Sequence, residues 1–352
     1  MEPVNKRNIN LDIIRITAFF LVVLVHFFIG IAFYEQNIEG FSLFVLLVVR
    51  NTAMICVPLF LMLSGALLNK RTLCRKHYLG LIRIIAIYIF IAILSLCYKH
   101  FCLGTEFSIR DIFGSITNYY ANDYSEFVTL YIALFILIPF INLAYNGLEN
   151  QKQKLIFLIT LFCVSHLYTL VNLKIHLYTF FFDKLYPVTY YVLGAYLMEY
   201  SSRKNAGKKA IYLACAVILF GIFNYLYCKG GKFDWPDFTN YDGFETFFVA
   251  LLIFDLLISL DLPPLSERKV HFISCVSRAT YAAFLLSWIV DDVIYINLRA
   301  GIPDIPPRNI WILAVVPVSF TVSLILGHLT ERLLSPAVSF IKTKLETLEI
   351  CK

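Results

Sequence analysis

The chain has 352 residues, of which 59% are hydrophobic and only 15% charged, and its mean hydropathy is +0.74. Soluble domains carry about a quarter charged residues, so this composition excludes a soluble globular protein and points to the membrane. The formal net charge of +6 is spread over short loops, which excludes a nucleic-acid footprint and suits loops that face anionic lipid headgroups.

Apolar blocks long enough to cross a hydrocarbon core, roughly 20 residues each, follow one another along the chain. They cover 11–33, 44–68, 79–98, 126–145, 154–172, 185–200, 210–228, 244–260, 272–298 and 309–334. The expected fold is an all-α, polytopic helix bundle of about ten transmembrane helices. It forms a single membrane-embedded domain over residues 1–352. The first block is too long for the apolar region of a signal peptide and contains Asp12 and Arg15, so it reads as a true span. The connections are short and leave no room for a separate soluble domain. The nine cysteines are scattered without a CxxC pair, which fits packing as small apolar side chains and predicts no metal site.

Basic loop residues alternate with the spans. With the N-terminus inside, the inner segments hold Lys6, Arg7, Lys70, Arg71, Arg75, Lys76, Lys152, Lys154, Arg203, Lys204, Lys208, Lys209, Arg268, Lys269, Lys342, Lys344 and Lys352. The outer ones hold fewer: Lys99, Arg110, Lys174, Lys184, Lys229, Lys232, Arg299 and Arg308. Both termini are therefore expected in the cytoplasm. The outer loop 229–243 (KGGKFDWPDFTNYDG) is rich in aromatics and carboxylates. That mixture fits either a carbohydrate-facing surface or an interfacial belt.

Ionisable side chains within spans are costly and mark function or helix–helix contacts. The first span carries Asp12, Arg15 and His26. Arg15 and His26 are eleven positions apart, about three turns and ~16 Å of rise, so they share a helix face; Asp12, one turn before Arg15, joins it. A guanidinium grips phosphate bidentately, and an imidazole in an enclosed site can take a proton from an attacking hydroxyl. The alternatives are an Arg15 that reaches the inner headgroups and a His26 bonded to a neighbouring helix. Arg83 and Arg278 fall near inner helix ends, either beside Arg15 or as anchors. Arg50, near the outer end of the second span, could bind substrate or anchor the interface. Glu126 opens the fourth span from outside. The Ser64–Gly65 pair suits close helix approach or a ligand contact. His166, Asp255, Asp291, Asp292 and Glu331 are candidates for helix–helix bonds.

Read in order, LDIIRITAFFLVVLVH (11–26), VPLFLMLSGALL (57–68), HYLGLIRIIAIY (77–88), FILIPFIN, YYVLGAYL and SFTVSLILGHLTERL make the chain resemble the acyltransferase family 3 of membrane O-acyltransferases. The first segment is similar to the family's pairing of an Arg and a His with ten residues between them, after an Asp, and the second to its VPLFFxxSGYLL segment. The layout is most similar to the enterobacterial common antigen O-acetyltransferase type. Three positions depart from the pattern. Tyr124-Ser125-Glu126 stands where many members have His-Leu-Trp, Ser287 stands where many have His, and Met54 stands where an Arg is frequent.

The resemblance implies an enzyme of the bacterial inner membrane that moves acetyl from cytoplasmic acetyl-CoA to a hydroxyl of a cell-surface glycan or its lipid-linked precursor. No cofactor would be permanently bound; the partners would be acetyl-CoA, the glycan acceptor and membrane lipids. His26 and Arg15 would be catalytic. Ser64 and Gly65 would lie in the second-span segment and Arg83 near the donor's phosphates; Asp12, Arg50, Glu126 and Arg278 join the expected substrate-binding path by their positions in the spans. A transporter or export component for a polysaccharide or lipid-linked intermediate is the alternative. It would require a proton-coupled use of the buried Arg and His, although neither an internal repeat nor paired broken helices is visible in the chain.

Overall fold

The computed structural model describes residues 8–172 and 183–347. Lys6, Arg7, Lys174 and Lys352, named above, lie outside the described residues. The described chain is helical, with no strand beyond a single bridge between Asn37 and Lys232. In chain order the helices are α1 (Ile9–Gly30), α2 (Gly40–Ala53), α3 (Cys56–Leu68), α4 (Arg75–Tyr78), α5 (Leu81–Phe101), α6 (Ile109–Thr117), α7 (Glu126–Asn146) and α8 (Gln151–Ser165). They continue with α9 (Leu167–Val171), α10 (Tyr186–Tyr200), α11 (Ala206–Cys228), α12 (Phe244–Ile258), α13 (Glu267–Gly301), α14 (Ile305–Arg308) and α15 (Ile312–Thr347).

Among the described residues, seven helical stretches are long and apolar enough to cross a membrane: Ile9–Gly30, Gly40–Leu68, Arg75–Phe101, Asp123–Asn146, Ala206–Cys228, Glu267–Gly301 and Ile305–Thr347. The other three expected blocks fall on α8 with α9, on α10 and on α12. Each of α8, α10 and α12 has 15 residues, shorter than the 18-residue stretch that marks the seven.

Two of the expected continuous spans are broken, each for a local reason. The block 44–68 is interrupted at Met54 and Ile55, between α2 and α3. Pro58 lies in the first turn of α3, where its missing N–H is harmless, but its ring would collide with the Met54 carbonyl in an unbroken helix. The block 154–172 breaks at His166, whose backbone leaves helical geometry (φ −128°, ψ −30°). There Ser165 Oγ donates to the Leu161 carbonyl at 2.7 Å and lies 2.7 Å from Thr189 Oγ1 of α10.

α1 sits at the centre, packed against α2, α3, α12, α13 and α15. The most apolar stretches of α1, α2–α3 and α13 are 56%, 61% and 61% buried, whereas that of α11 is 17% buried. The first three therefore form the interior, and α11 turns an apolar face (Ile211, Leu219, Leu226) outward. A surface of that kind is stable against lipid rather than water. Close approaches fix the interior. A Cβ on Gly65 of α3 would fall on the Tyr191 carbonyl of α10, and one on Gly194 of α10 would fall on the Met62 carbonyl. Only glycine at both positions lets the backbones touch. In lipid, where burial supplies little driving force, such contact is a main source of helix association.

Contacts between α1 and α13 also fix their relative direction. Arg15 meets Ser277, His26 meets Asp291, and Gly30 lies against the ring of Tyr295. The numbers rise together, so the two helices run parallel.

Candidate active site

The shared face of α1 is set against α13 by periodicity. Ser277 and Asp291 are fourteen residues apart, close to four helical turns, and so they line one stripe of α13. Arg15 Nη1 donates to Ser277 Oγ at 3.3 Å. Nearer the other end of α1, His26 Nδ1 lies 3.9 Å from Asp291 Oδ2, a carboxylate only 2% exposed.

Asp291 is held from two further sides. Ser319 Oγ of α15 donates to its Oδ1 at 2.5 Å, and Tyr124 Oη donates to its Oδ2 at 2.9 Å. The Tyr124 ring is stacked on His26, with centroids 3.6 Å apart and planes 14° from parallel. Tyr124 owes its place to the tight turn Asp123–Ser125 before α7. Buried Asn122 caps that turn, its side-chain oxygen accepting from Tyr124 N at 3.1 Å and Ser125 Oγ at 2.9 Å. Asn122 Nδ2 in turn donates to Ser95 of α5 at 3.1 Å.

His26 Nδ1 is buried and has no hydrogen-bond partner among the described residues. A buried polar atom left unpaired is costly, and a shift of about 1 Å would bring it within bonding range of Asp291.

Three cavities run past these residues. The basal cavity, about 350 Å³, is lined by Arg15, Ser64, Arg83, Ser277, Arg278 and Lys342 among apolar side chains. The central cavity, also about 350 Å³, is lined by His26, Tyr124, Glu126 and Tyr241 among others. The vestibule, about 520 Å³, is lined by His26, Tyr168, Lys184, Trp235, Asp237 and Asp242 among others. Neighbouring cavities share walls. Phe127 and Phe284, with ring centroids 5.4 Å apart, line both the basal and central cavities, while Val25, His26, Tyr186 and Tyr241 line both the central cavity and the vestibule. His26 thus stands where the second and third meet.

A family model described as an acyltransferase domain matches residues 8–328. The chain belongs to this acyltransferase family. It is a membrane acyltransferase, and the match spans nearly every helix that builds the three cavities. No curated protein and no solved structure matches it.

The residues singled out from the sequence divide by position. Arg15, Ser64, Arg83 and Arg278 come together around the basal cavity, and Glu126 joins His26 around the central one. Arg83 is also bound to Glu331 of α15 at 2.6 Å, and its Nη2 donates to the Arg278 carbonyl at 3.3 Å. Ser64 Oγ donates to the Phe60 carbonyl at 3.0 Å and to Tyr131 Oη at 3.4 Å. Asp12, Gly65 and Arg50 line none of the three cavities. Asp12 is buried one turn from Arg15, and Gly65 makes the α3–α10 contact. Arg50 is fully buried, its guanidinium 4.1 Å from the Trp235 ring centroid and 4.7 Å from that of Phe233. Arg50 Nε donates to Tyr34 Oη at 3.0 Å, and Nη1 donates to Asn51 Oδ1 at 3.1 Å.

Sequence reasoning placed Asp291 only among possible helix contacts, and read Tyr124 as a departure from a family motif. Both belong to the His26 cluster. The available signal for Asp291 was its fourteen-residue spacing from Ser277 on a helix parallel to α1. Nothing local in the sequence marked Tyr124 or Ser319.

Proposed function

We propose that the protein moves an acetyl group from cytoplasmic acetyl-CoA, held at the basal cavity, to a hydroxyl of a cell-surface glycan or its lipid-linked precursor in the vestibule. The observation that carries this reading is the run of wall-sharing cavities, with arginines at one end, carboxylates and aromatics at the other, and His26 between. The donor's phosphates meet Arg15, with Arg83 and Arg278 beside it, while the narrow thioester arm follows the apolar wall past Phe127 and Phe284.

The chemistry then balances at His26. The imidazole takes the proton from the acceptor hydroxyl as its oxygen attacks the thioester carbonyl carbon. The tetrahedral intermediate collapses, the C–S bond breaks, and the departing thiolate recovers the proton from the imidazolium. Asp291, 3.9 Å away, stabilises the positive charge that His26 carries during this exchange.

The same reading takes ten crossings with both termini in the cytoplasm, in the inner membrane of a bacterium. The parallel course of α1 and α13 supports it. If the seven long stretches alone crossed, α13 would be the sixth crossing and would run opposite to α1. Crossing by an odd number of the 15-residue helices α8, α10 and α12 restores the parallel course, and ten crossings use all three.

His26→Ala tests the reaction. The variant should insert and elute as the wild type does but form no acetylated acceptor. Undiminished transfer by a folded His26→Ala protein refutes the assignment. The transporter alternative draws no support from the family match, and labelled acetyl-CoA separates the two: an enzyme transfers or hydrolyses the label, and a carrier leaves it intact.

A further inference from the structure

The vestibule contains more recognition chemistry than acyl transfer needs. Trp235 lies at its wall on a backbone with φ +39°, a left-handed conformation that bulky residues rarely adopt. The surroundings hold it there. Arg50 backs the ring at 4.1 Å, and the Tyr34 ring lies 4.4 Å from it. The rest of the loop is equally fixed. A Cβ on Gly243 would strike the Phe238 carbonyl, Thr239 Oγ1 donates to the Pro236 carbonyl at 2.8 Å, and Tyr190 Oη donates to the Tyr241 carbonyl at 2.8 Å.

Trp235 lines the vestibule together with Tyr186, Tyr241, Asp237 and Asp242. Asp242 accepts a hydrogen bond from buried Tyr168. An apolar ring face suits the C–H face of a pyranose, and carboxylate oxygens accept strong hydrogen bonds from its hydroxyls.

Among the described residues that line the vestibule and the central cavity, carboxylates outnumber lysines and arginines. Asp237 and Asp242 line the vestibule, and Asp123 and Glu126 line the adjoining central cavity. Among the described lining residues of both cavities, Lys184 is the basic side chain besides His26. Arg50 lines neither cavity. An acceptor bearing its own carboxylate or phosphate would face Asp237, Asp123 and Glu126, the kind of like-charge contact that excludes wrong partners.

We propose that the vestibule selects uncharged pyranosides as acyl acceptors, through Trp235 and Asp237, and rejects uronic acids and phosphorylated sugars. This rests on the reading of the vestibule as the acceptor side.

The test separates binding from transfer. Purified His26→Ala protein in nanodiscs is titrated with a methyl N-acetylhexosaminide and with the methyl glycoside of a uronic acid, and tryptophan fluorescence is followed. The uncharged glycoside should quench, Trp235→Phe in the same background should remove the quench, and the uronate should bind at least about tenfold more weakly. Adding Asp237→Asn, an exposed substitution, should narrow that gap to about threefold. Equal or tighter uronate binding, a quench that survives Trp235→Phe, or binding of neither glycoside overturns the inference. The predicted binding order together with a wild-type protein that transfers no acetyl would leave the inference standing and refute the acyl-transfer reading instead.

Discussion

Replacing Asp291 with Asn removes one charge from the His26 cluster and little else. The amide keeps the size of the carboxylate and one oxygen, so Tyr124 or Ser319 retains an acceptor. The lost term is the attraction between the carboxylate and a protonated His26. At 3.9 Å and an effective dielectric of about 20, that attraction is ~4 kcal/mol. In the proposed mechanism His26 gains its charge during the transfer, so the loss falls on the barrier, and each ~1.4 kcal/mol there is tenfold in rate. Asp291→Asn should therefore lower kcat by roughly a thousandfold. Asp291 does not line the basal cavity, so KM for acetyl-CoA should change by less than about threefold. The assay is transfer of labelled acetyl by purified protein, with thermal melting confirming the fold. A kcat within about fivefold of wild type, in a variant that melts normally, refutes the proposed role of Asp291.

Four further outcomes follow from individual contacts. Tyr124→Phe keeps the stack on His26 but loses the hydroxyl bond to Asp291, worth about 1.5–3 kcal/mol to a charged partner, so kcat should fall between about tenfold and a hundredfold and Tm should fall as well. Gly65→Ala places a methyl group on the Tyr191 carbonyl; at ~1–3 kcal/mol or more of overpacking it should lower the melting temperature and the yield of monodisperse protein, and Gly194→Ala should do the same. Arg15→Ala should raise KM for acetyl-CoA at least about tenfold, while binding of the acceptor glycoside, read by fluorescence, stays as in wild type. Arg50→Met removes the cation behind Trp235, a contact worth about 2 kcal/mol when desolvated; protease sensitivity of the loop 229–243 should increase while the affinity for acetyl-CoA is unchanged.

What could be read from the sequence was whatever depends on local periodicity. The apolar blocks, the common face of Arg15 and His26, and the basic residues near Arg15 all follow from helical geometry applied to one segment at a time. The gap between α2 and α3 had a local signal as well, in Pro58, but composition made 44–68 look continuous. The three 15-residue helices show the opposite difficulty: their apolar blocks look like spans but their helices are short, and only the contacts between α1 and α13 bear on how many of them cross. The His26 cluster is assembled from α1, the turn before α7, α13 and α15. No spacing within a segment could bring Tyr124, Asp291 and Ser319 together. Arg50 illustrates a further limit, since its type and depth suited substrate binding equally well, and its aromatic cage comes from Tyr34 and from a loop near residue 235.

The most direct measurement places donor and acceptor on opposite sides of a sealed membrane. Protein is reconstituted in one orientation in vesicles, with labelled acetyl-CoA confined to the side of the basal cavity and an uncharged glycoside confined to the side of the vestibule. Acetylated glycoside should accumulate on the vestibule side with wild-type protein and be absent with His26→Ala. Product that forms only when both substrates share one side, or that persists without His26, would contradict the account.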